Sequence, residues 1–170
     1  MSKTPVRSAL VASSSLLPKV EDGMRAVKSS DGDCFHADVK SAFADSIDLD
    51  EAMKPGRDEE NRWDYLLGHS ASRTVIGVEP HSAKEDQVST VIKKRKAAVE
   101  QLRPHLAAGK AVASWLWVAS GNVQFADTEK TKLRLAQNGI EFVGKQVLPK
   151  HLPGASSVQS PAKAKRKPRR

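Results

Sequence analysis

A single cysteine, Cys34, stands in the 170 residues. It cannot close an internal disulfide, so nothing in the fold depends on an oxidising compartment, and one thiol cannot supply a thiolate cluster for zinc. The histidines at 36, 69, 81, 105 and 151 follow no zinc spacing either. No run approaches the roughly 20 apolar residues that a bilayer-spanning helix needs, which removes the membrane from the expected partners. A glycine-rich phosphate loop, a dinucleotide fingerprint and an internal repeat are all missing, and Ser120 lacks the G-x-S-x-G setting of a nucleophile. Cys34 and His36 lie two apart, a spacing that does not oblige them to face each other. Near the N-terminus Lys3 and Arg7 precede Ala9-Leu10-Val11, but the run breaks into three serines without a small-x-small cleavage site. It reads as a leader, with a secretory signal as the alternative; a cytoplasmic protein is the expectation.

What is present fits one domain of about 100–150 residues with flexible ends. Residues 1–30 are rich in serine and small side chains and carry no period, so a flexible leader is expected there. Residues 31–150 form the expected α/β domain, and 151–170 a disordered basic tail. Net charge is +8, of which Lys163, Lys165, Arg166, Lys167, Arg169 and Arg170 supply six, leaving a body that is only mildly basic. Such a tail attracts a polyanion by counterion release; without an aromatic residue it can follow a backbone but cannot stack bases. Nucleic acid, DNA or RNA, is therefore the expected partner. Anionic lipid and a mere aid to solubility are the alternatives.

Within the domain, Val39, Ala42, Phe43 and Ile47 recur at three and four, which predicts an amphipathic helix over 37–53 with Asp38, Asp45, Asp48, Asp50 and Glu51 on a solvated face. The clearest helical stripe, Val88, Val91, Ile92, Val99, Leu102 and Leu106, predicts a helix over 83–108, interrupted near Pro104 and ended at Gly109. Arg95 interrupts that stripe, and either snorkels past the sheet edge or points at a negative group. Residues 111–119, AVASWLWVA, alternate as a strand. Trp115 and Trp117 then share one face, where they either pack beneath a helix or stack bases. A turn at Ser120-Gly121-Asn122, a short return strand 123–125, a helix capped by Asp127 or Thr128 and closed at Asn138-Gly139, and a strand 140–143 complete the domain.

The stretch from Asn61 to Ser82, NRWDYLLGHSASRTVIGVEPHS, carries the chemistry. Asp64 opens one apolar run, Gly68 to Arg73 makes a turn, and Thr74 to Val78 forms a β-branched run that ends at Glu79. Strand alternation puts Val75, Gly77 and Glu79 on one face, and hairpin pairing sets Asp64 beside Glu79. Pro80 is expected to end the ladder and present His81 just beyond it.

Two acids on neighbouring strands, followed by a long helix and another strand, resemble the core of the PD-(D/E)XK, or restriction-endonuclease-like, nucleases over about residues 37–143. The likeness implies a central mixed sheet flanked by helices. It also implies Asp64 and Glu79 as ligands of Mg²⁺, and His81 in the place of the usual lysine, orienting or activating water. Trp63 stands where that superfamily has proline. Related folds draw the basic residue from the following helix, so Lys84, Lys94 and Arg95 are candidate substitutes, Lys94 and Arg95 in particular for phosphate; Gln87 is another residue that could face the site. The chain also resembles a group of small bacterial proteins with a strand ending in valine-glutamate and a nearby histidine, a likeness that implies a shape and no activity. The expected function is thus a Mg²⁺-dependent nuclease-like protein. The alternative is a non-catalytic nucleic-acid-binding or protein-interaction module on the same fold.

Overall fold

A computed structural model describes residues 3–124 and 129–154. Its centre is one mixed sheet of six strands in chain order: β1 (Glu21–Asp22), β2 (Phe43–Asp48), β3 (Tyr65–His69), β4 (Thr74–Ala83), β5 (Val112–Val123) and β6 (Ile140–Phe142). The first four strands run antiparallel, and β4, β5 and β6 are parallel. Parallel neighbours need crossovers. Two helices, α4 (Val88–Leu102) and α5 (Glu129–Gln137), supply them. Shorter helices are α1 (Pro5–Ala9), α2 (Ala37–Lys40) and α3 (Leu49–Met53).

The alternation expected in β4 holds, and it sorts the core into two layers. On one face, Leu66, Val75, Trp115 and Trp117 meet Val88, Val91, Ile92, Ala98 and Leu102 of α4 and Leu135 of α5. On the other, Tyr65, Leu67, Ile76, Val78, Leu116 and Val118 meet Phe35, Val39, Val143, Val147 and Leu152. Both crossover helices thus lie on the face that carries Glu79.

Five expectations are corrected. The helix over 37–53 does not form as one element: α2, β2 and α3 divide it, and β2 inserts between β1 and β3. A register shift between Phe43 and Asp45 sends Phe43 to one layer and Ile47 to the other. A strand buried on both faces with a bulge imitates a three-and-four spacing. Asp45, expected on a solvated face, is fully buried and accepts the backbone N–H groups of Val6 and Arg7 at 3.0 Å each. Gly68 makes room for it, since a Cβ there would stand 2.0 Å from Asp45 Oδ1.

The N-terminal segment, expected without structure, packs instead. Val6, Leu10, Leu16 and Val20 are buried, Leu10 bridges Leu106, and Ser14 Oγ meets His105 Nδ1 at 2.7 Å. Nor does Pro80 end β4, which continues to Ala83 along β5. Because β3 starts at Tyr65, opposite Val78, the β3 side of β4 is a free edge beyond that point, where a proline is tolerated. Finally, Ser120-Gly121-Asn122 does not turn: β5 runs on through it, with Gly121 at φ +145°, and Val123 pairs Ala83. The helix expected to close at Asn138-Gly139 does so, Gly139 taking φ +71°. Phe125, Asp127, Thr128 and the basic tail, Lys163, Lys165, Arg166, Lys167, Arg169 and Arg170 included, lie outside the described residues.

Candidate functional site

Tyr65 pairs Val78 and Leu66 pairs Gly77. One step further along the same register sets Asp64 across from Glu79, both on the α4 face. Asp64 is held there by its backbone, its carbonyl accepting the N–H groups of Leu49 at 2.7 Å and Asp50 at 3.3 Å. The loop leading into it is tied down as well. Gln101 of α4 donates to the Asn61 carbonyl at 3.0 Å, and the Arg62 guanidinium pairs with Asp50 at 2.9 Å.

The third member of the site comes from α4. Lys94 Nζ stands 2.8 Å from Glu79 Oε1, 3.1 Å from Oε2 and 3.9 Å from Asp64 Oδ1. The Glu79 side chain has no exposed surface, whereas Asp64 keeps 26% and Lys94 18%. The cluster therefore opens to solvent on its Asp64 side. Burial, then the neighbouring Asp64 charge, drives the Glu79 carboxyl well above the usual range, and Lys94 only partly offsets this. Burial raises Asp64 too, against Lys94. The two carboxyls thus disfavour each other's charge, Glu79 the more strongly because it is the more deeply buried. One ammonium is thus too little positive charge for two desolvated carboxylates.

His81 lies two residues beyond Glu79 on the same strand, half-buried. Its Nε2 is 2.7 Å from Gln87 Oε1, and its carbonyl accepts Trp117 Nε1–H at 3.2 Å. Gln87 presents an oxygen, so Nε2 carries the hydrogen and Nδ1 is left as the acceptor. Gln87 thus meets His81, in the turn Glu85–Gln87 that opens α4. Lys84 is exposed at the same turn.

Arg95, expected beside Lys94 at phosphate, goes elsewhere. Its guanidinium lies 5.6 Å over the Trp115 ring and against Gly139. Trp115 in turn meets Trp63 edge-on at 5.0 Å. This stack fits because of Gly77, where a Cβ would stand 2.6 Å from Trp115 and 3.0 Å from Trp63 Nε1. Trp115 and Trp117 are accordingly core residues, not a base-stacking platform. The signal for Lys94 was present in the helix period: it lies three after Val91 and four before Ala98, both buried, so its stem runs along the core.

Among the described residues, no three histidine, cysteine, aspartate or glutamate side chains stand in a metal-ligating group. Cys34 is buried, and burial beside Asp31 and Asp33 raises its thiol. No helix is long and apolar enough to cross a membrane among the described residues. No protein-family model, curated protein or solved structure matches the chain.

Proposed function

We propose that the protein is a nuclease-like phosphodiesterase, built on a restriction-endonuclease-like core, in which Asp64 and Glu79 hold a divalent cation, Mg²⁺ by preference. The observation that carries this reading is the Lys94 ammonium against both carboxylates on a sheet face that opens at Asp64. Two acids and one helix-borne lysine reproduce the charge pattern that the sequence resemblance implies, with the lysine moved from the strand to α4.

The donor set suits Mg²⁺, which takes oxygen ligands, keeps several waters and needs only one or two carboxylates besides substrate phosphate. Bound there, the ion would polarise a phosphoryl oxygen and lower the pKa of a coordinated water. The carboxyl pair itself favours such an ion, because two desolvated acids stand against the single Lys94 ammonium. Lys94 can neutralise charge developing on the phosphate. His81, its Nε2 engaged by Gln87, keeps Nδ1 as an acceptor for a hydrogen-bonded water.

One observation favours the alternative of a non-catalytic nucleic-acid-binding or interaction module: Lys94 already pairs with Glu79, so the acids are not without a cation. Cleavage of labelled DNA and RNA with and without Mg²⁺ separates the two. Under the proposal Mg²⁺ supports cleavage, and Asp64→Ala, Glu79→Ala and Lys94→Ala each lower it by at least a hundredfold with binding retained. Full activity in any of the three would remove that residue from the site.

A further inference from the structure

The two flanks of the carboxylate pair carry opposite charge. Residues 48–62, whose backbone holds Asp64 in place, contain six acids against three cations, with Glu51, Asp58, Glu59 and Glu60 exposed. On the other flank, α4 contains four cations against one acid, and α5 three against one. The body is only slightly positive as a whole, so this is a segregation of charge and not a general excess.

The cations of the second flank are also aligned. Ser89, Lys93, Lys96 and Glu100 follow one another at four, three and four along α4, and all are exposed, so they form its outer ridge. Arg134 of α5 donates to Ser89 Oγ at 2.9 Å, which brings it to the head of that ridge, and Lys130 lies one turn before Arg134. Lys93 is adjacent to Lys94, which turns inward to Glu79. Positive charge therefore extends from α5 onto the outer side of α4, where Lys93 adjoins Lys94 of the carboxylate cluster.

We propose that this ridge, Lys130, Arg134, Lys93 and Lys96, is the docking surface for the phosphate backbone of a nucleic-acid duplex and lays it across α4 toward the carboxylates. The inference rests on the phosphodiesterase reading and names its partner and direction of approach. Duplex is favoured over single strand because no aromatic side chain is exposed among the described residues, and single-strand sites stack bases on such rings. A membrane is disfavoured because the exposed large apolar side chains there are only Val123 and Leu133, too few for an inserting face. Contacts to phosphate alone carry no sequence preference.

The test uses the full chain without divalent metal and measures anisotropy of a random-sequence DNA duplex across a salt series. In the triple variant Lys93→Gln, Lys96→Gln, Lys130→Gln, log affinity against log salt is expected to flatten by about 3, roughly one phosphate contact per lysine. Asp58→Asn with Glu59→Gln, on the acidic flank, is expected to leave affinity equal or higher. The three lysines are exposed, so the triple variant should melt with the parent. An unaltered slope in the triple variant overturns the proposal. So does a larger loss on a single strand than on duplex, or tighter binding to phosphatidylserine vesicles than to duplex. Lost slope in the triple variant together with no cleavage by the parent under any metal supports the docking surface and counts only against the phosphodiesterase reading.

Discussion

The two faces of the sheet are packed by different rules. The face toward Phe35, Val39, Val143 and Val147 is mostly hydrocarbon, with the uncharged hydroxyls of Ser46 and Tyr65 at its edge, the latter reaching Asp31. The face under α4 and α5 is equally buried, yet it encloses Glu79, Lys94 and an arginine stacked on tryptophan. Buried hydrocarbon lowers the free energy of the fold, whereas buried charge costs desolvation that its pairing only partly returns. A chain that keeps two carboxyls in such a place gives up stability there, a cost that the proposed function would explain.

The contrast can be broken from the hydrocarbon side first. Leu116→Ala should cost about 2–5 kcal/mol, the range for emptying a fully packed leucine site, as a lower midpoint in urea with the slope unchanged. A cost below 1 kcal/mol would mean that this face is loosely packed. Gly77→Ala should cost somewhat less, about 1–3 kcal/mol, because its methyl must push Trp115 aside. Its near-ultraviolet circular dichroism should change as the Trp63–Trp115 contact shifts, and an unchanged spectrum would count against that geometry.

The smallest and most telling effect belongs to Glu79→Gln, which should leave stability at neutral pH equal or slightly raised while removing the proposed activity. The pH dependence follows from the raised carboxyl. Folded Glu79 keeps a proton that the unfolded chain releases above its ordinary value of 4.5, so the parent loses stability as pH rises from there toward the raised value. On acidification from pH 7 to about 4.5 the parent should therefore gain on the Gln variant. The buried His69 and the half-buried His105 act in both proteins alike and cancel in the difference. A parent that instead loses ground to the variant would show Glu79 to be held ionised.

The residues that were legible beforehand are those whose pattern is local. The alternation of Val75 to Glu79, the hairpin after Tyr65, the stripe of α4 and the cap at Gly139 each follow from steric rules acting within a few residues. Asp64 and Glu79 could be placed side by side because a hairpin register extends by simple counting. Asp45 could not be placed, because its partners, Val6 and Arg7, lie 39 and 38 residues away. β2 imitates a helix for a related reason: its bulge disguises the strand period.

By itself, then, the sequence determined which side chains share a strand face and which line one helix, since backbone geometry alone sets those periods. It also determined that two acids would meet across a hairpin. Only the tertiary structure decided that Lys94 and not His81 would answer Glu79, that Arg95 would lie on Trp115, and that the N-terminal segment would be pinned to Asp45. Those choices depend on where α4 settles on the sheet and on contacts between distant parts of the chain. Such contacts form through the packing of whole layers, and no window of neighbouring residues contains them.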